Sequence, residues 1–381
     1  MRLAMVAGEA SGDLLAGLLL KGLKARWPAL AAAGIGGPQM AAQGFEAWWP
    51  SDKLAVRGYV EVLRHYREIV GIRRQLTARL LDQHPDVFIG VDAPDFNLDL
   101  EARLKAAGTK AIHFICPSIW AWRGERVGKI AKSVDHVLCL FPFEPALLAR
   151  HGIAATYVGH PLADAIPLEP PRVAARQALG LAAADRVVAL LPGSRRSELH
   201  YMSDLFVLTA RRLLQDVPNA YFVCPTASRA TREMFETALR RHDARNLPLT
   251  LLFGHSHEAL AAADIAMVAS GTATLEAALF KTPMVIAYKQ SPFTWALMRR
   301  MLYLENIGLP NILAGETLVP EFVQDKATPG NLANALLALL QDAAAQRRQI
   351  EKFHEIHATL RQNTAQKAAD AVLAVIDAGR S

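Results

Sequence analysis

The chain holds three cysteines in 381 residues, Cys116, Cys139 and Cys224, with no CxxC pair. Widely spaced in sequence, they form neither a disulfide framework nor a zinc signature, and buried reduced thiols in a cytosolic protein are expected. No run of 18 uncharged apolar residues occurs, so no transmembrane helix is predicted. The apolar start, residues 2–7, is too short for a signal-peptide core and reads as a first strand. The GxGxxG spacing of dinucleotide-binding folds is also missing, since the first Gly-rich turn reads Gly8-Glu-Ala-Ser-Gly-Asp13, which argues against a nicotinamide cofactor. No cofactor and no metal is expected. His255 and His257 stand two apart at a helix start and would not share a face, so they read as a polar cluster rather than as metal ligands. Low-complexity segments are absent.

What is present is a folded chain, 52% hydrophobic and 20% charged. Its length exceeds one ordinary core, and two domains are expected. Net charge is 42 − 36 = +6. That excess suits an anionic partner but does not choose among nucleotide, nucleic acid and acidic membrane. No recognised nucleic-acid module appears, so nucleic acid is not expected as a partner.

Two runs of alternating strands and helices are separated by a Pro- and Ala-rich stretch, residues 165–185. This predicts an α/β chain with two doubly wound Rossmann-type domains facing across a cleft. The boundaries read as 1–165, 166–363 and a last helix, 364–381, which could cross back to the first domain.

The stretch 265–279, IAMVASGTATLEAAL, organises the second half. An apolar strand turns over Ser270-Gly271-Thr272 into a helix, presenting N–H groups, the positive helix end and two hydroxyls to a phosphate. Gly271 lets the backbone approach a ligand. Glu276, one turn in, suits a ribose diol. A second strand-end turn, Gly193-Ser194-Arg195, offers an arginine for phosphate contact.

In the first half, DAPDFN (92–97) follows a strand at the end where α/β folds place ligand groups. Asp92, beside the stiff Pro94, is the candidate base, with Asp95 and Glu9 as rivals. Asp95 and Asn97 suit capping of a helix starting near Leu98 better than Asp92 does. Residues 57–81 carry a wide apolar face and six arginines (57, 64, 67, 73, 74 and 79) against two acids, Glu61 and Glu68. Such a helix either lies in a membrane interface, through Val60, Leu63, Arg64, Arg67, Ile69, Val70 and Arg73, or buries its apolar side in the core.

The motifs VAGEASGD, DAPDFN, PSIWAWR, GHP, LPGSRRSE, ASGTATLE and LPNILAG occur in this order. Together they resemble the lipid-A-disaccharide synthases, glycosyltransferases of the B-type (GT-B) two-Rossmann fold, over essentially the whole chain. The resemblance implies an inverting hexosyltransferase in lipid A biosynthesis. Its donor would be UDP-diacylglucosamine and its acceptor diacylglucosamine 1-phosphate, giving a β-1,6 disaccharide 1-phosphate and UDP. It implies donor contacts at Ser194, Arg195, Ser270, Gly271, Thr272, Thr274, Glu276 and Asn311. Acceptor or cleft contacts would fall at Gly8, Glu9, Ser11, Asp95 and Asn97. It also favours docking of residues 57–81 on an anionic membrane, at the cytoplasmic face of the inner membrane, and leaves room for a homodimer. Related readings, a UDP-N-acetylglucosamine epimerase or the glucosaminyl transferase of cell-wall synthesis, would share the Ser-Gly-Thr and Glu features but not WAWR or DAPDFN. A membrane-docking regulator without turnover is the alternative of a different class.

Overall fold

Short apolar runs bounded by Gly, Asp and Pro become parallel strands, and the central ones are buried along their whole length or all but their first residue, as a sheet covered on both faces requires. The computed structural model describes residues 1–8, 10–54, 59–121, 124–181, 186–299 and 305–378, with backbone alone at 10, 52, 59–66, 293 and 297–299. The chain forms two compact units, residues 1–164 with 360–381, and residues 165–359.

In the first unit, seven parallel strands run β1 (Arg2–Ala7), β2 (Ala31–Gly36), β3 (Glu46–Pro50), β4 (Val87–Val91), β5 (Lys110–Phe114), β6 (His136–Cys139) and β7 (Ala155–Tyr157). Their spatial order is β3-β2-β1-β4-β5-β6-β7. The order reverses between β1 and β4, and the crevice at the carboxyl ends of those two strands is where such a sheet binds ligands. Two apolar layers flank the sheet, one around Met5, Leu20 and Ile89, the other around Val6, Leu76 and Phe88. The helix Thr364–Ala378 belongs to this unit and lies on the helix Ala10–Arg26. Gly22 makes that approach possible: a Cβ there would stand 2.4 Å from the Ala365 carbonyl oxygen. The Asp164 carboxylate accepts the Asn363 and Thr364 N–H groups at 2.9 and 2.6 Å and fixes where this helix starts.

The second unit repeats the scheme with β8 (Arg186–Leu191), β9 (Ala220–Thr226), β10 (Leu249–Phe253), β11 (Ile265–Ala269), β12 (Met284–Tyr288) and β13 (Glu321–Val323). The order is β10-β9-β8-β11-β12-β13, with the reversal between β8 and β11. Its core packs the helices Arg196–Asp216 and Pro329–Gln341 on one face, with Phe206, Phe222 and Leu332 fully buried.

The helix after β4 begins at Pro94, earlier than the start near Leu98 read from sequence. Proline at the first helical position loses no hydrogen bond, which explains the early start. Asp95 and Asn97 therefore lie inside the helix, and neither caps it.

Candidate active site

The candidate residues of the first unit collect at the β1/β4 reversal. Asp92 ends the β4–β5 ladder by donating its N–H to the Phe114 carbonyl at 3.0 Å. Asp92 and Ala93 then both take left-handed backbone conformations, φ 53° and 44°. Two consecutive non-glycine residues there cost roughly 1–2 kcal/mol each, so something must hold them. Asn97 does so: its buried amide donates to the Asp92 carbonyl at 2.8 Å. Asp92 is left half-buried at the strand end. Gly8 sits against the same loop, since a Cβ on it would meet the Ala93 Cβ at 3.4 Å. Ser11 is exposed in the first turn of the first helix, and Glu9 lies outside the described residues.

The rival Asp95 is exposed and held by Arg126, which donates to both its carboxylate oxygens at 2.6 and 2.8 Å. Asp13, closing the GEASGD turn, is buried and accepts the N–H groups of Gly37, Gln39 and Met40 at 2.8, 2.9 and 3.1 Å. It pins the turn after β2.

Two cysteines distant in sequence meet in space, because β5 and β6 are neighbours. Cys116, Cys139 and Glu144 bring two Sγ atoms and a carboxylate oxygen within 4.8 Å of one another. All three cysteines are free thiols and buried. Glu144 already accepts the Trp120 indole N–H on one oxygen and the Phe141 N–H on the other, both at 3.0 Å. Trp120, from the PSIWAWR loop, packs edge-on to Phe141 and Phe143. Trp122 and Arg123 of that loop lie outside the described residues.

In the second unit, the candidates gather at the β8/β11 reversal. Gly271 takes φ 147° and precedes the helix Thr272–Leu279, whose start no side chain caps. Ser270 donates its hydroxyl to the Ile307 carbonyl at 3.2 Å. Gly271 and Thr272 are exposed, as a ligand site needs. Thr274 is fully buried and donates its hydroxyl to the Gly271 carbonyl at 2.8 Å, so it shapes the turn from behind. Glu276 stands 3.7 Å from the His257 imidazole. Burial raises its carboxyl above the usual range, partly offset by His257. With the helix capped at Gly271, Glu276 is too far along to form a capping box. His255 faces Glu258 at 3.3 Å, so the two histidines serve different carboxylates.

The Gly193-Ser194-Arg195 turn is occupied from within. Glu198 accepts the Ser194 and Arg195 N–H groups at 2.9 and 3.1 Å, while the Arg195 guanidinium, half-exposed, lies 3.4 Å from its other oxygen. A phosphate at this turn would replace the Glu198 carboxylate. Asn311 is buried with its whole amide spent, donating to Val319 O and Glu321 Oε1 at 2.8 and 2.7 Å and accepting from Leu318 N and Val319 N at 2.9 and 2.7 Å. Glu321 also accepts the Ile307 and Gly308 N–H groups at 2.8 and 2.9 Å. Asn311 thus shapes the loop that Ser270 touches, and has no amide group left for a ligand. Sequence reasoning missed Glu198, Glu321 and His257, because none sits in a Gly-rich turn and each acts through a contact made only on folding.

The basic segment forms the helix Tyr59–Gln83. The Val60, Leu63 and Arg64 side chains, and Arg57 altogether, lie outside the described residues. Ile72, Leu76 and Leu80 are core residues, and Ile69 packs on them. Arg73 donates to the Asp99 carboxylate at 2.8 Å. Arg79 stacks over Trp48, 3.8 Å from the ring centroid. Arg67 and Arg74 are exposed, and Val70 is half-buried. No helix among the described residues is long and apolar enough to cross a membrane.

With this geometry in hand, the chain was compared with known proteins. The family model for lipid-A-disaccharide synthetase matches residues 3–375. The lipid-A-disaccharide synthase of Dechloromonas aromatica (strain RCB) is 58% identical over 374 residues, covering 98% of each chain. Among solved structures, the fold is similar to UDP-GlcNAc 2-epimerase from Neisseria meningitidis bound to UDP-GlcNAc, with a TM-score of 0.64 at 13% identity over 98% of this chain and 99% of that one. It is also similar to MurG from Acinetobacter baumannii, with a TM-score of 0.56 at 13% identity over 98% and 99%. At such identities the structures speak to the fold alone, two Rossmann-like domains of the GT-B type.

Proposed function

The chain belongs to the lipid-A-disaccharide synthetase family, and from that premise we propose that it joins two diacylated glucosamines, with UDP as the leaving group, in lipid A biosynthesis. The donor is UDP-diacylglucosamine and the acceptor diacylglucosamine 1-phosphate. The acceptor's 6-hydroxyl attacks the anomeric carbon from the face opposite UDP, forming the β-1,6 bond as the bond to the UDP oxygen breaks. Asp92 takes the hydroxyl proton. Arg195 and the N–H groups at the start of the helix Thr272–Leu279 receive the charge that develops on UDP. Glu276 accepts from the ribose hydroxyls.

The observation that carries this reading is that both candidate sets fall at sheet reversals: Asp92 with Gly8 at β1/β4, and Arg195 with Gly271 at β8/β11. Both reversals lie at the carboxyl ends of parallel strands, where sheets of this kind bind ligands. We assign Asp92 rather than Asp95 because Asp92 stands at the strand end of the β1/β4 reversal, while Asp95 is exposed inside the following helix. Asn311 and Thr274 shape the donor site, and Ser194, Ser270 and Thr272 line it. Ser11 and the Gly8 turn face the acceptor. The segment 57–81, through the side not buried in the core, docks on an anionic lipid surface at the cytoplasmic face of the inner membrane, where both acylated substrates reside.

The test offers UDP-diacylglucosamine with and without diacylglucosamine 1-phosphate and measures UDP release and disaccharide. UDP-N-acetylglucosamine without acyl chains is the control. Asp92→Ala is expected to lose turnover by roughly a hundredfold or more while still binding the UDP-sugar. Near-normal turnover in that variant would overturn the base, and UDP-sugar binding without product would favour a non-catalytic regulator.

A further inference from the structure

Directly behind the Asp92 loop lies a pair of ionisable side chains that the reaction as described does not use. His113, in the middle of β5, places Nδ1 2.7 Å from Oε1 of Glu101, on the helix Pro94–Ala106. Both side chains are fully buried. Gly90, opposite His113 in the β4–β5 register, makes the room. A Cβ on Gly90 would stand 2.1 Å from Glu101 Oε1 and 2.8 Å from the Asn97 Cβ. Asn97 and Glu101 are one helical turn apart and face the sheet together.

Three buried atoms of this cluster, Glu101 Oε2, His113 Nε2 and Asn97 Oδ1, have no hydrogen-bond partner among the described residues. Burial pulls the imidazole toward its neutral form. The Glu101 carboxylate and the Asp92 charge more than reverse that pull and raise it. Burial raises Glu101 as well. The pair keeps a proton beside Asp92. An apolar pair of similar volume would fill this space at less cost in desolvation, so packing alone does not call for these two residues.

We propose that Glu101 and His113 are positioning residues for the transfer: a buried dyad that, together with the Asn97 clamp, fixes the Asp92 carboxylate at the β1/β4 reversal. The dyad does not touch substrate. It acts by holding the loop whose two left-handed residues would otherwise relax. This rests on the reading of Asp92 as the base.

The test uses the full-length chain and five variants: Glu101→Gln, His113→Gln, Asp92→Ala, and the doubles Asp92→Ala/Glu101→Gln and Asp92→Ala/His113→Gln. Turnover is measured per folded molecule with both acylated substrates. Each dyad variant is expected to lower kcat roughly ten- to a hundredfold, the loss an ångström of misplacement causes, with KM for the UDP-sugar within about twofold. Neither is expected to deepen the loss already caused by Asp92→Ala. Unchanged kcat in folded dyad variants overturns the proposal, as does a further full loss in the doubles. Glu101→Gln keeps an acceptor for His113 and nearly the same shape, so failure of both dyad variants to fold would mark a structural role and overturn it too. If Asp92→Ala turns over normally, the base falls and the dyad with it. If Asp92→Ala is dead while the dyad variants are unimpaired, only the dyad falls.

Discussion

Two buried groups in the first unit, packed on one phenylalanine, should give opposite pH dependences of stability that hide each other. Glu144 is 2% exposed, and burial pushes its carboxyl up to about 7 from an ordinary 4.5, with the N–H groups of Phe141 and Trp120 opposing. His160 is 7% exposed, stacks on the Phe141 ring, and is pushed by burial down to about 4 from 6.5, with Asp164 opposing. For Glu144, the folded state holds the proton more tightly than the unfolded chain does, so stability falls as pH rises from about 4.5 to about 7. For His160, the folded state holds it less tightly, so stability falls as pH drops from about 6.5 to about 4. At about 1.4 kcal/mol per pH unit, each contribution is about 3 kcal/mol across its window. Between pH 4.5 and 6.5 the slopes cancel, and the parent's contribution from this pair is nearly flat. Single substitutions should expose them. In Glu144→Gln, stability should fall by about 3 kcal/mol from pH 6.5 to pH 4; in His160→Gln it should fall by a similar amount from pH 4.5 to pH 7. The assay is urea unfolding at half-unit pH steps, followed by tryptophan fluorescence. Trp27, Trp48, Trp49, Trp120 and Trp122 all belong to the first unit, and Trp295 alone to the second, so the signal reports the right unit. The comparison uses slopes, so the fixed cost of a hydrogen bond lost by either amide drops out. If both variants run parallel to the parent, burial is not what sets these two protonation states.

Gly271→Ala meets no protein atom within 4 Å, but its φ of 147° disfavours a side chain and a Cβ would stand in the way of close approach to UDP; about 1–2 kcal/mol of strain is expected, with UDP affinity weakened roughly tenfold by calorimetry, and unchanged affinity would mean the turn needs no glycine. Asn311→Ala leaves the Leu318 and Val319 N–H groups unpaired in the interior and should destabilise the second unit by about 2–4 kcal/mol in urea unfolding, against about 0.5 kcal/mol for the exposed Thr272→Ala; equal effects would refute the structural part assigned to Asn311. Reversing Arg64 and Arg67 together should reduce binding to anionic vesicles in a salt-dependent way, with no loss of folding. Reversing Arg73 should instead show up in thermal stability, because its partner is Asp99.

What was legible in the sequence was local. The strand Ile265–Ala269 and the turn that follows it could be read because an apolar run and a Ser-Gly-Thr turn need no information from elsewhere in the chain. The short edge strands β3, β7 and β13 could not. Glu-Ala-Trp-Trp-Pro and Ala-Thr-Tyr carry little apolar alternation, and they are strands because a neighbour pairs with them. The Asp92 loop was legible as a position at a strand end, but not as a strained turn, since its left-handed geometry is held by Asn97 and by residues of β5.

The polar residues show the limit most sharply, because a carboxylate looks the same in sequence whether it meets a ligand or the chain's own backbone. Asp13 and Asp92 both follow closely on a strand, yet one is buried on three N–H groups 24 to 27 residues away and the other is half-buried at the reversal. Glu198 and Glu276 both stand early in a helix after a Gly-containing turn. Glu198 closes back on its own turn at 2.9 Å, while Glu276 turns toward His257. Since the Ser194 and Arg195 N–H groups are already satisfied, a phosphate gains there only the difference between its own hydrogen bonds and those it displaces. Arg195, whose guanidinium is more than half exposed, bears a correspondingly larger share of any phosphate contact at that turn. The unsatisfied start of the helix Thr272–Leu279 faces no such competitor among the described side chains. Under the proposed function, the stretch 270–272 is therefore where UDP would gain most, and the Gly-Ser-Arg turn would contribute chiefly through its side chain.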